Sequence, residues 1–272
     1  MRGIMSENDK NRGTLYLLPV PLLPYSPEDW KPCQLMNMIA PNVIAIMKSV
    51  PYFVVESEKT ANRLLSRLLS PEQFSEVGFF ILNEHSKEED LKAPLSALKS
   101  GYDCAILSEA GLPCIADPGA ALVSLAHEEQ LRIVPIGGDS SLLLALAASG
   151  LNGQRFCFLG YMPIRSEELQ KELVLEGQAA MHDKAARIFI ETPYRNERTL
   201  RACIEALPEN LYLCVACNLG TNQPLIRSMP IASWRNKAII IPEKPAVFCF
   251  GIPAKLNKKQ LQSARRERRS LR

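Results

Sequence analysis

The stretch SEAGLPCIADPG, Ser108 to Gly119, directly follows the short apolar run Cys104 to Leu107. Four apolar residues that stop at turn-forming residues are typical of a buried β-strand that ends in a loop. Two prolines in the stretch fix their own φ, and two glycines let other groups approach the backbone closely. We therefore predict a rigid loop that serves as a ligand cradle. Asp117 and Pro118 also predict a helix start, with Asp117 as N-cap and Pro118 at the first helical position.

Strand-like and helix-like segments alternate along both halves of the chain. In the first half, predicted strands lie at 14–20, 52–55, 77–82, 104–107 and 132–136, with helical stretches between most of them. After the turn-rich segment Ser149 to Gly153, predicted strands lie at 156–159, 187–191, 211–217, 238–241 and 246–250. Such alternation is typical of βα units, which build mostly parallel sheets. It predicts two α/β domains with a cleft between them, which is a favoured place for a ligand.

Composition completes the predicted domain organisation. We expect a disordered start over 1–13, an N-terminal α/β domain over 14–150, a C-terminal α/β domain over 154–254 and a basic tail over 255–272. The tail contains eight Lys or Arg and one Glu, a charge of +7, whereas the rest of the chain carries −4. Clustered positive charge is found both in solvated chain ends and in arms that bind nucleic-acid phosphates. Charge alone leaves both readings open.

A second glycine-containing turn precedes a strongly apolar helix. Gly137 to Ser141 reads GGDSS, and the helix predicted over 142–149 is apolar on nearly all sides, so we expect it to be buried. The free backbone N–H groups at its start suit a polar ligand, although a plain helix cap is the alternative. The sequence has no GxGxxG, so a dinucleotide-binding fingerprint is absent.

Several classes of protein are disfavoured by composition. The eight cysteines lie mostly in apolar runs, which indicates reduced, buried thiols in a cytoplasmic protein. Cys214 and Cys217 have CxxC spacing, but residues three apart on a strand point to opposite faces, so we expect neither a redox pair nor a metal site. No apolar run approaches the ~18 residues of a membrane span. The polar first dozen residues lack the apolar centre of a secretion signal.

The opening stretch resembles a known signature. It is similar to the S-D-A-G-x-P-x-x-x-D-P-G string of the ribosomal RNA 2′-O-methyltransferase branch of the tetrapyrrole methylase superfamily, and only Glu109 departs from it. Further similarities follow in register over roughly residues 14 to 252, in the segments Thr14–Pro19, Glu84–His85, Ile133–Ile136, Ala147–Leu151, Phe158–Tyr161 and Glu191–Arg195.

The resemblance implies a two-domain tetrapyrrole-methylase-like α/β fold, with a mostly parallel sheet in the first domain and a mixed sheet in the second. It also implies S-adenosylmethionine as the cofactor, held in the interdomain cleft largely by main-chain groups, and a homodimer that acts on ribosomal RNA or the small ribosomal subunit. The cofactor-binding residues that it implies by position are Glu109, Gly111, Leu112, Pro113, Ile115, Ser140, Ser141, Tyr161, Met162 and Ala216.

Methylation of a ribose hydroxyl benefits from a group that removes the proton, because the hydroxyl is a weak acid. Glu109, Asp117 and Glu191 are the candidates, and Arg195 is suited to bind a phosphate through two hydrogen bonds. Three of these four residues have ordinary structural alternatives: Asp117 as a helix cap, and Glu191 with Arg195 as an ion pair. The residues alone do not rank the three carboxylates.

Three segments differ from the pattern of the branch and bear on the substrate. Glu56 to Lys59 reads ESEK where the branch has EDTR, Gly137 to Ser141 replaces a P-G-P segment, and Asn218 to Leu225 replaces an E-L-T-K segment. The leading hypothesis is an S-adenosylmethionine-dependent methyltransferase that modifies a ribose of small-subunit ribosomal RNA. The alternatives are a methyltransferase for a small, tetrapyrrole-like molecule and a protein that binds S-adenosylmethionine or a nucleotide without turnover.

Overall fold

The structure is a computed structural model of the chain that describes residues 11–22, 32–237 and 240–254, with only the backbone of 32–34. It contains two compact units, Met1–Ser140 and Ser141–Arg272. The segment 141–150 therefore groups with the second unit, and the predicted division into 14–150 and 154–254 stays a prediction. The predicted disordered start lies outside the described residues except for 11–13, and the predicted tail over 255–272 lies wholly outside them.

The first unit is built on a parallel sheet of five strands, in the order β3-β2-β4-β1-β5. The strands are β1 (Thr14–Leu18), β2 (Tyr52–Val55), β3 (Gly78–Ile81), β4 (Cys104–Leu107) and β5 (Arg132–Pro135). The helices are α1 (Pro32–Met38), α2 (Pro41–Ser49), α3 (Glu58–Leu65), α4 (Pro71–Ser75), α5 (Lys92–Lys99) and α6 (Ala120–Glu128).

Helices cover both faces of this sheet. All four residues of the central strand β4 are buried, as expected for a parallel strand with helices on both sides. Side chains of α1, α2 and α3 pack on one face, where Phe53 and Leu107 belong to the same cluster. Side chains of α5 and α6 pack on the other face with Leu15 and Ile106. The alternation of strand and helix thus predicts this unit correctly.

The second unit contains a mixed sheet in the order β6-β7-β10-β8-β9, in which β6 and β7 are parallel and the other neighbouring pairs are antiparallel. Its strands are β6 (Phe156–Tyr161), β7 (Ala186–Glu191), β8 (Tyr212–Cys217), β9 (Leu225–Pro230) and β10 (Ala246–Gly251). Its helices are α7 (Ser141–Ser149), α8 (Ser166–Asp183), α9 (Asn196–Ala206) and α10 (Ile231–Trp234). The predicted fold class, with a parallel first sheet and a mixed second sheet, is confirmed.

The two faces of this second sheet also decide the geometry of the CxxC pair. Cys214 belongs to the cluster that contains residues of α7, whereas Cys217 belongs to the opposite cluster with α8 and α9. Burial raises the pKa of Cys214 to about 11, so its thiol stays protonated at neutral pH. The prediction that these thiols point apart is confirmed. No group of three potential metal ligands occurs among the described residues.

The start of α6 corrects one prediction. The helix begins at Ala120 after Gly119, whose φ of +116° is left-handed, and no side chain caps it. Asp117 is therefore not the N-cap, and Pro118 is not the first helical residue. The chain needs two further residues to turn out of the loop, and a glycine at 119 makes that turn possible because it tolerates a positive φ.

Two other predictions need correction in the second unit. Helix α7 buries Leu142, Ala145 and Leu146, but Leu143 and Leu144 are 51% and 40% exposed, so it is not buried on all sides. In the strand predicted over 238–241, residues 238–239 lie outside the described part, and 240–241 are not in a strand. In the described ranges, no helix is both long and apolar enough to cross a bilayer.

Candidate functional site

The carboxyl ends of the parallel strands place the loops of the first unit along one edge of the sheet. The chain leaves β2 toward β3 on one side and leaves β4 toward β5 on the other, so the connections diverge between the neighbouring strands β2 and β4. In open α/β sheets a crevice forms at such a switch point, and ligands bind there. The loop that follows β4 is the stretch Ser108 to Gly119.

Gly111 joins this loop to the segment that follows β1. Its N–H donates to the carbonyl of Val20 at 3.0 Å, and its own carbonyl accepts from the N–H of Val20 at 2.9 Å. The Ser108 hydroxyl also donates to the Gly111 carbonyl, at 2.7 Å. Gly111 has a φ of +82°, and a Cβ placed there would lie 3.2 Å from the carbonyl oxygen of Asp139. The close approach that the sequence predicts at Gly111 is thus made by the chain itself.

The rest of the loop contains an unpaired carboxylate oxygen. Cys114 and Ala116 have φ values of +66° and +56°, which is uncommon for residues other than glycine. Beyond them, Oδ2 of Asp117 is buried and has no hydrogen-bond partner among the described residues. A buried polar atom without a partner is costly in a folded protein and calls for an explanation. Asp117 Oδ2 is therefore a buried acceptor to which the described residues supply no donor.

The other predicted residues of this unit differ in exposure. Pro113 is buried, Leu112 and Glu109 are half-buried, and Ile115 is 47% exposed. Ser140, the last residue of the first unit, is buried. The loop therefore offers both apolar surface and main-chain groups next to the carboxyl end of β4.

A pocket lies at the carboxyl ends of β1, β2 and β4. It is lined by Val20, Pro21, Val55, Glu56, Ser57, Thr60, Ala61, Leu64, Leu107, Ser108 and Glu109. Ser57 is the N-cap of α3, because its hydroxyl accepts from the N–H of Thr60 at 3.3 Å. Glu56 is the one residue between the end of β2 and this N-cap. Hydroxyl, carboxyl and apolar side chains therefore line this pocket together.

Glu56 in this pocket has a perturbed pKa. Burial, and then the negative charges of Glu109 and Glu84, raise its pKa to about 7. The resemblance does not identify Glu56 as a site residue, although the segment Glu56 to Lys59 is one of those that differ from the branch. The position of Glu56 directly after a predicted strand was the available signal, because Glu84 and Glu109 also follow strands of the same sheet.

A second pocket flanks the other side of the β1 end. It is lined by Pro19, Val20, Pro21, Met38, Ile39, Ala40, Val43, Gly137, Gly138 and Asp139. A Cβ at Gly138 would lie 2.3 Å from Cβ of Pro19, so the loop after β5 packs tightly on the loop after β1. The glycine turn thus serves this contact between loops, and its predicted role in ligand binding stays a prediction.

In the second unit, Glu191 and Arg195 form a buried ion pair. Their atoms Oε2 and Nη2 are 3.0 Å apart, and the Glu191 side chain has no exposed surface. Glu191 also accepts from the Thr192 N–H and the Thr199 hydroxyl, both at 2.7 Å. Nη2 of Arg195 donates to the carbonyl of Met162 at 3.0 Å. This geometry favours the ion-pair alternative over a proton acceptor and a phosphate ligand.

The remaining predicted residues of the second unit have contrasting environments. Tyr161 ends β6 and is 59% exposed, whereas Met162 and Ala216 are buried. Ser141 begins α7. An interaction between the cofactor and these residues stays a prediction, as does the location of the cofactor between the domains.

Comparisons with known proteins complete the description. No protein-family model matches the chain. The chain is 26% identical over 223 residues to "Ribosomal RNA small subunit methyltransferase I" of Escherichia coli O157:H7, which covers 82% of the chain and 71% of the relative. It is 32% identical over 210 residues to the protein of the same name from Bacillus subtilis strain 168, which covers 76% of the chain and 64% of the relative. For the protein of that name from Pseudomonas aeruginosa, the identity is 29% over 197 residues, with 72% and 67% covered.

A solved structure is similar in fold. The crystal structure of the methyltransferase CobJ superposes with a TM-score of 0.55 and 17% sequence identity, over 90% of this chain and 96% of that chain. At this low identity, the superposition is informative about the fold alone. It agrees with a parallel five-stranded sheet followed by a mixed five-stranded sheet.

Proposed function

We propose that the chain, which is similar to the small-subunit ribosomal RNA methyltransferases of the tetrapyrrole methylase superfamily, methylates a ribose hydroxyl of that RNA with S-adenosylmethionine. The observation that carries the proposal is the loop SEAGLPCIADPG at the switch point between β2 and β4. The loop departs from the signature of the branch at Glu109 alone. It follows β4, one of the two strands at the switch point, and open α/β sheets bind their ligands at the carboxyl ends of such strands.

The residues of this edge fit the cofactor. S-adenosylmethionine has hydroxyl and amino groups that donate hydrogen bonds, and Asp117 Oδ2 is a buried acceptor without a partner in the described chain. Leu112 and Ile115 are exposed enough to supply apolar surface for its adenine and ribose, and the buried Pro113 lies between them in the loop. When bound, the cofactor supplies a methyl group activated by a sulfonium. We propose that Glu109, Gly111, Ser140, Ser141, Tyr161, Met162 and Ala216 complete the binding site, as the resemblance implies.

The protein then has three tasks in the reaction. It must hold the acceptor hydroxyl in line with the methyl group, exclude water and accept a proton. Apolar residues that line the pocket, such as Leu64 and Leu107, help to exclude water. We further propose that the protein works as a homodimer in the cytoplasm, which sedimentation and cell fractionation would test.

Calorimetry tests the cofactor assignment. We expect S-adenosylmethionine to bind with a micromolar dissociation constant, about −8 kcal/mol. Asp117→Asn removes the charge of the unpaired acceptor and should weaken binding about tenfold, because a hydrogen bond to a charged group is worth more than one to a neutral group. Glu128→Gln removes a charge from an exposed position on the following helix and is the control. Unchanged binding in Asp117→Asn would contradict a contact at Asp117.

A transfer assay tests the reaction. The protein is incubated with methyl-labelled S-adenosylmethionine and small ribosomal subunits from cells that lack it, and the RNA is digested to nucleosides. We expect label in one 2′-O-methylated nucleoside, and no label in subunits from cells that contain the protein. Label in a tetrapyrrole but not in RNA would support the small-molecule alternative. Cofactor binding without transfer to either would support the protein without turnover.

A further inference from the structure

The pocket between β1, β2 and β4 contains a carboxyl group to which the signature assigns no role. Glu56 follows the last residue of β2 and precedes the N-cap of α3, so both neighbours hold its backbone in a fixed place. Its side chain lines the pocket with the hydroxyls of Ser57, Thr60 and Ser108. Its carboxylate makes no hydrogen bond or salt bridge within the described part of the chain.

The charged groups around Glu56 are mostly negative. Glu109 approaches from the loop after β4, and Glu84 approaches from the loop after β3. The exposed side chain of His85 lies 3.6 Å from Glu84, and Glu58 and Lys59 follow Glu56 in the first turn of α3. No lysine or arginine forms a salt bridge with Glu56 in the ranges that the structure describes. Half-burial and like charges therefore favour the protonated carboxyl.

Resting on the proposed function, we propose that Glu56 is the catalytic residue that accepts the proton of the RNA hydroxyl during methyl transfer. The hydroxyl proton moves to a carboxylate oxygen of Glu56, and the hydroxyl oxygen forms its bond to the methyl carbon. The bond between that carbon and the sulfonium sulfur breaks, and its electron pair stays on sulfur. Glu56 then releases the proton to solvent.

The environment of Glu56 suits this role better than those of the other carboxylates. A proton acceptor is most effective when its pKa lies near the working pH, and burial with two like charges raises the pKa of Glu56 to about 7. Glu191 is wholly buried and already accepts four hydrogen bonds or ion-pair contacts. Asp117 lies in the loop after β4, outside the residues that line the pocket. Glu109 lines the pocket, and its charge helps to raise the pKa of Glu56.

The first test is the pH dependence of methyl transfer to the small subunit. The rate should rise with pH and level off above about 7, because Glu56 accepts a proton only when it is ionised. Glu56→Gln keeps the size and hydrogen-bonding capacity but cannot accept the proton, so the rate should fall by about 10²- to 10⁴-fold and this pH dependence should be lost. Glu58→Gln, at an exposed position two residues away, should keep the wild-type profile.

The second test measures the carboxyl itself, independently of activity. NMR titration of ¹³C-labelled glutamate carboxyls, assigned by comparison with Glu56→Gln, should show a group with a pKa near 7 in the free protein. Glu84→Gln should lower that pKa, because it removes one of the two like charges. Calorimetry should show that Glu56→Gln binds S-adenosylmethionine as the wild type does.

The outcomes separate this proposal from the proposed function. An active wild type with an equally active Glu56→Gln variant would overturn the role of Glu56 and leave the methyltransferase assignment intact. A Glu56 carboxyl that titrates between 4 and 5 would also overturn the role. A wild type that binds the cofactor but methylates no RNA would overturn the proposed function, and the inference on Glu56 would fall with it.

Discussion

Gly111 illustrates how a residue in a binding signature can be required by the chain itself. Its N–H and carbonyl pair with Val20, and the space beside its Cα is occupied by the Asp139 carbonyl and by Cδ2 of Leu22, each 3.2 Å from an added Cβ. Its φ of +82° is unfavourable for any side chain. Loss of cofactor binding in a Gly111 variant therefore would not by itself identify a ligand contact, since the loops after β1, β4 and β5 would shift together.

The crowding at Gly111 can be measured against a matched glycine. Gly150 has a φ of +73° but no atom within 4 Å of an added Cβ, so Gly150→Ala reports the cost of the backbone conformation alone. That cost is about 1–2 kcal/mol. Gly111→Ala should cost at least about 1 kcal/mol more, because the added methyl must displace Asp139 or Leu22. Urea unfolding of both variants checks this, and equal destabilisation would show that the contact relaxes freely.

The site residues show what a sequence can and cannot predict. The signature draws attention to the loop around Gly111, which lies at the carboxyl edge of the first sheet, and its role in ligand binding stays a prediction. It does not identify Glu56, since the pKa of that carboxyl depends on Glu84 and Glu109, which only the sheet brings near it. Glu191 and Arg195 are the right residue types for catalysis, but their burial and mutual contact become visible only in the folded unit.

At the scale of elements, strands with continuous apolar runs are predicted well and polar edge strands are not. All five strands of the first sheet lie within the segments predicted for them, and β2 and β4 match because they are short apolar runs between turns. Strand β9, LIRSMP, contains Arg227, Ser228 and Pro230, and among the described strands it pairs with β8 alone, at the edge of the second sheet. Pairing with a neighbour, which the sequence does not display, makes it a strand.

Arg187 connects two elements of the second unit through charge. It lies on β7, where its side chain is 5% exposed, and it contacts Glu176 at 2.5 Å and Asp183 at 2.7 Å, both on α8. The hydrogen bonds that Arg187 donates to Asp183 are the largest cause that lowers the pKa of Asp183 to about 2, and the hydrogen bond from the Ala185 N–H is the next. The ion pair with Asp183 therefore stabilises the fold above the ordinary pKa of an aspartate, and this stabilisation is lost as the pH falls toward 2.

Replacement of Arg187 should weaken the attachment of β7 to the end of α8 and lower the stability of the second unit. Arg187→Met keeps much of the buried volume but leaves Glu176 and Asp183 without their partner, so we expect a loss of about 2 kcal/mol at pH 7. The loss should shrink as the pH falls through the range in which the carboxylates are protonated. Arg201→Met, which breaks an exposed pair with Glu197, should cost less than about 1 kcal/mol. Equal losses in denaturant unfolding would contradict a structural role for Arg187.

At the scale of the whole molecule, the distribution of charge matters more than its sum. The net charge of +3 combines a segment of +7 over 255–272 with −4 over the rest of the chain. Residues 1–254 carry a net negative charge, which does not attract a polyanion at long range. Affinity for RNA would therefore have to come from local groups or from the segment 255–272. The segment lies outside the described residues, and its role is a prediction from its sequence.

Removal of residues 255–272 should weaken RNA binding and leave the two units intact. The last described residues are already held in the second unit, because Pro253 forms a β-bridge with Leu151 and the Ala254 N–H donates to the Gly150 carbonyl at 2.9 Å. The melting temperature and cofactor affinity should therefore stay unchanged. If about four of the eight basic residues contact phosphates, the slope of log affinity against log salt should flatten by roughly 3 to 4 units. A full-length variant with these eight residues changed to glutamine should behave like the truncation, because charge rather than length is removed. An unchanged slope in both would contradict an RNA-binding role and favour a small-molecule substrate.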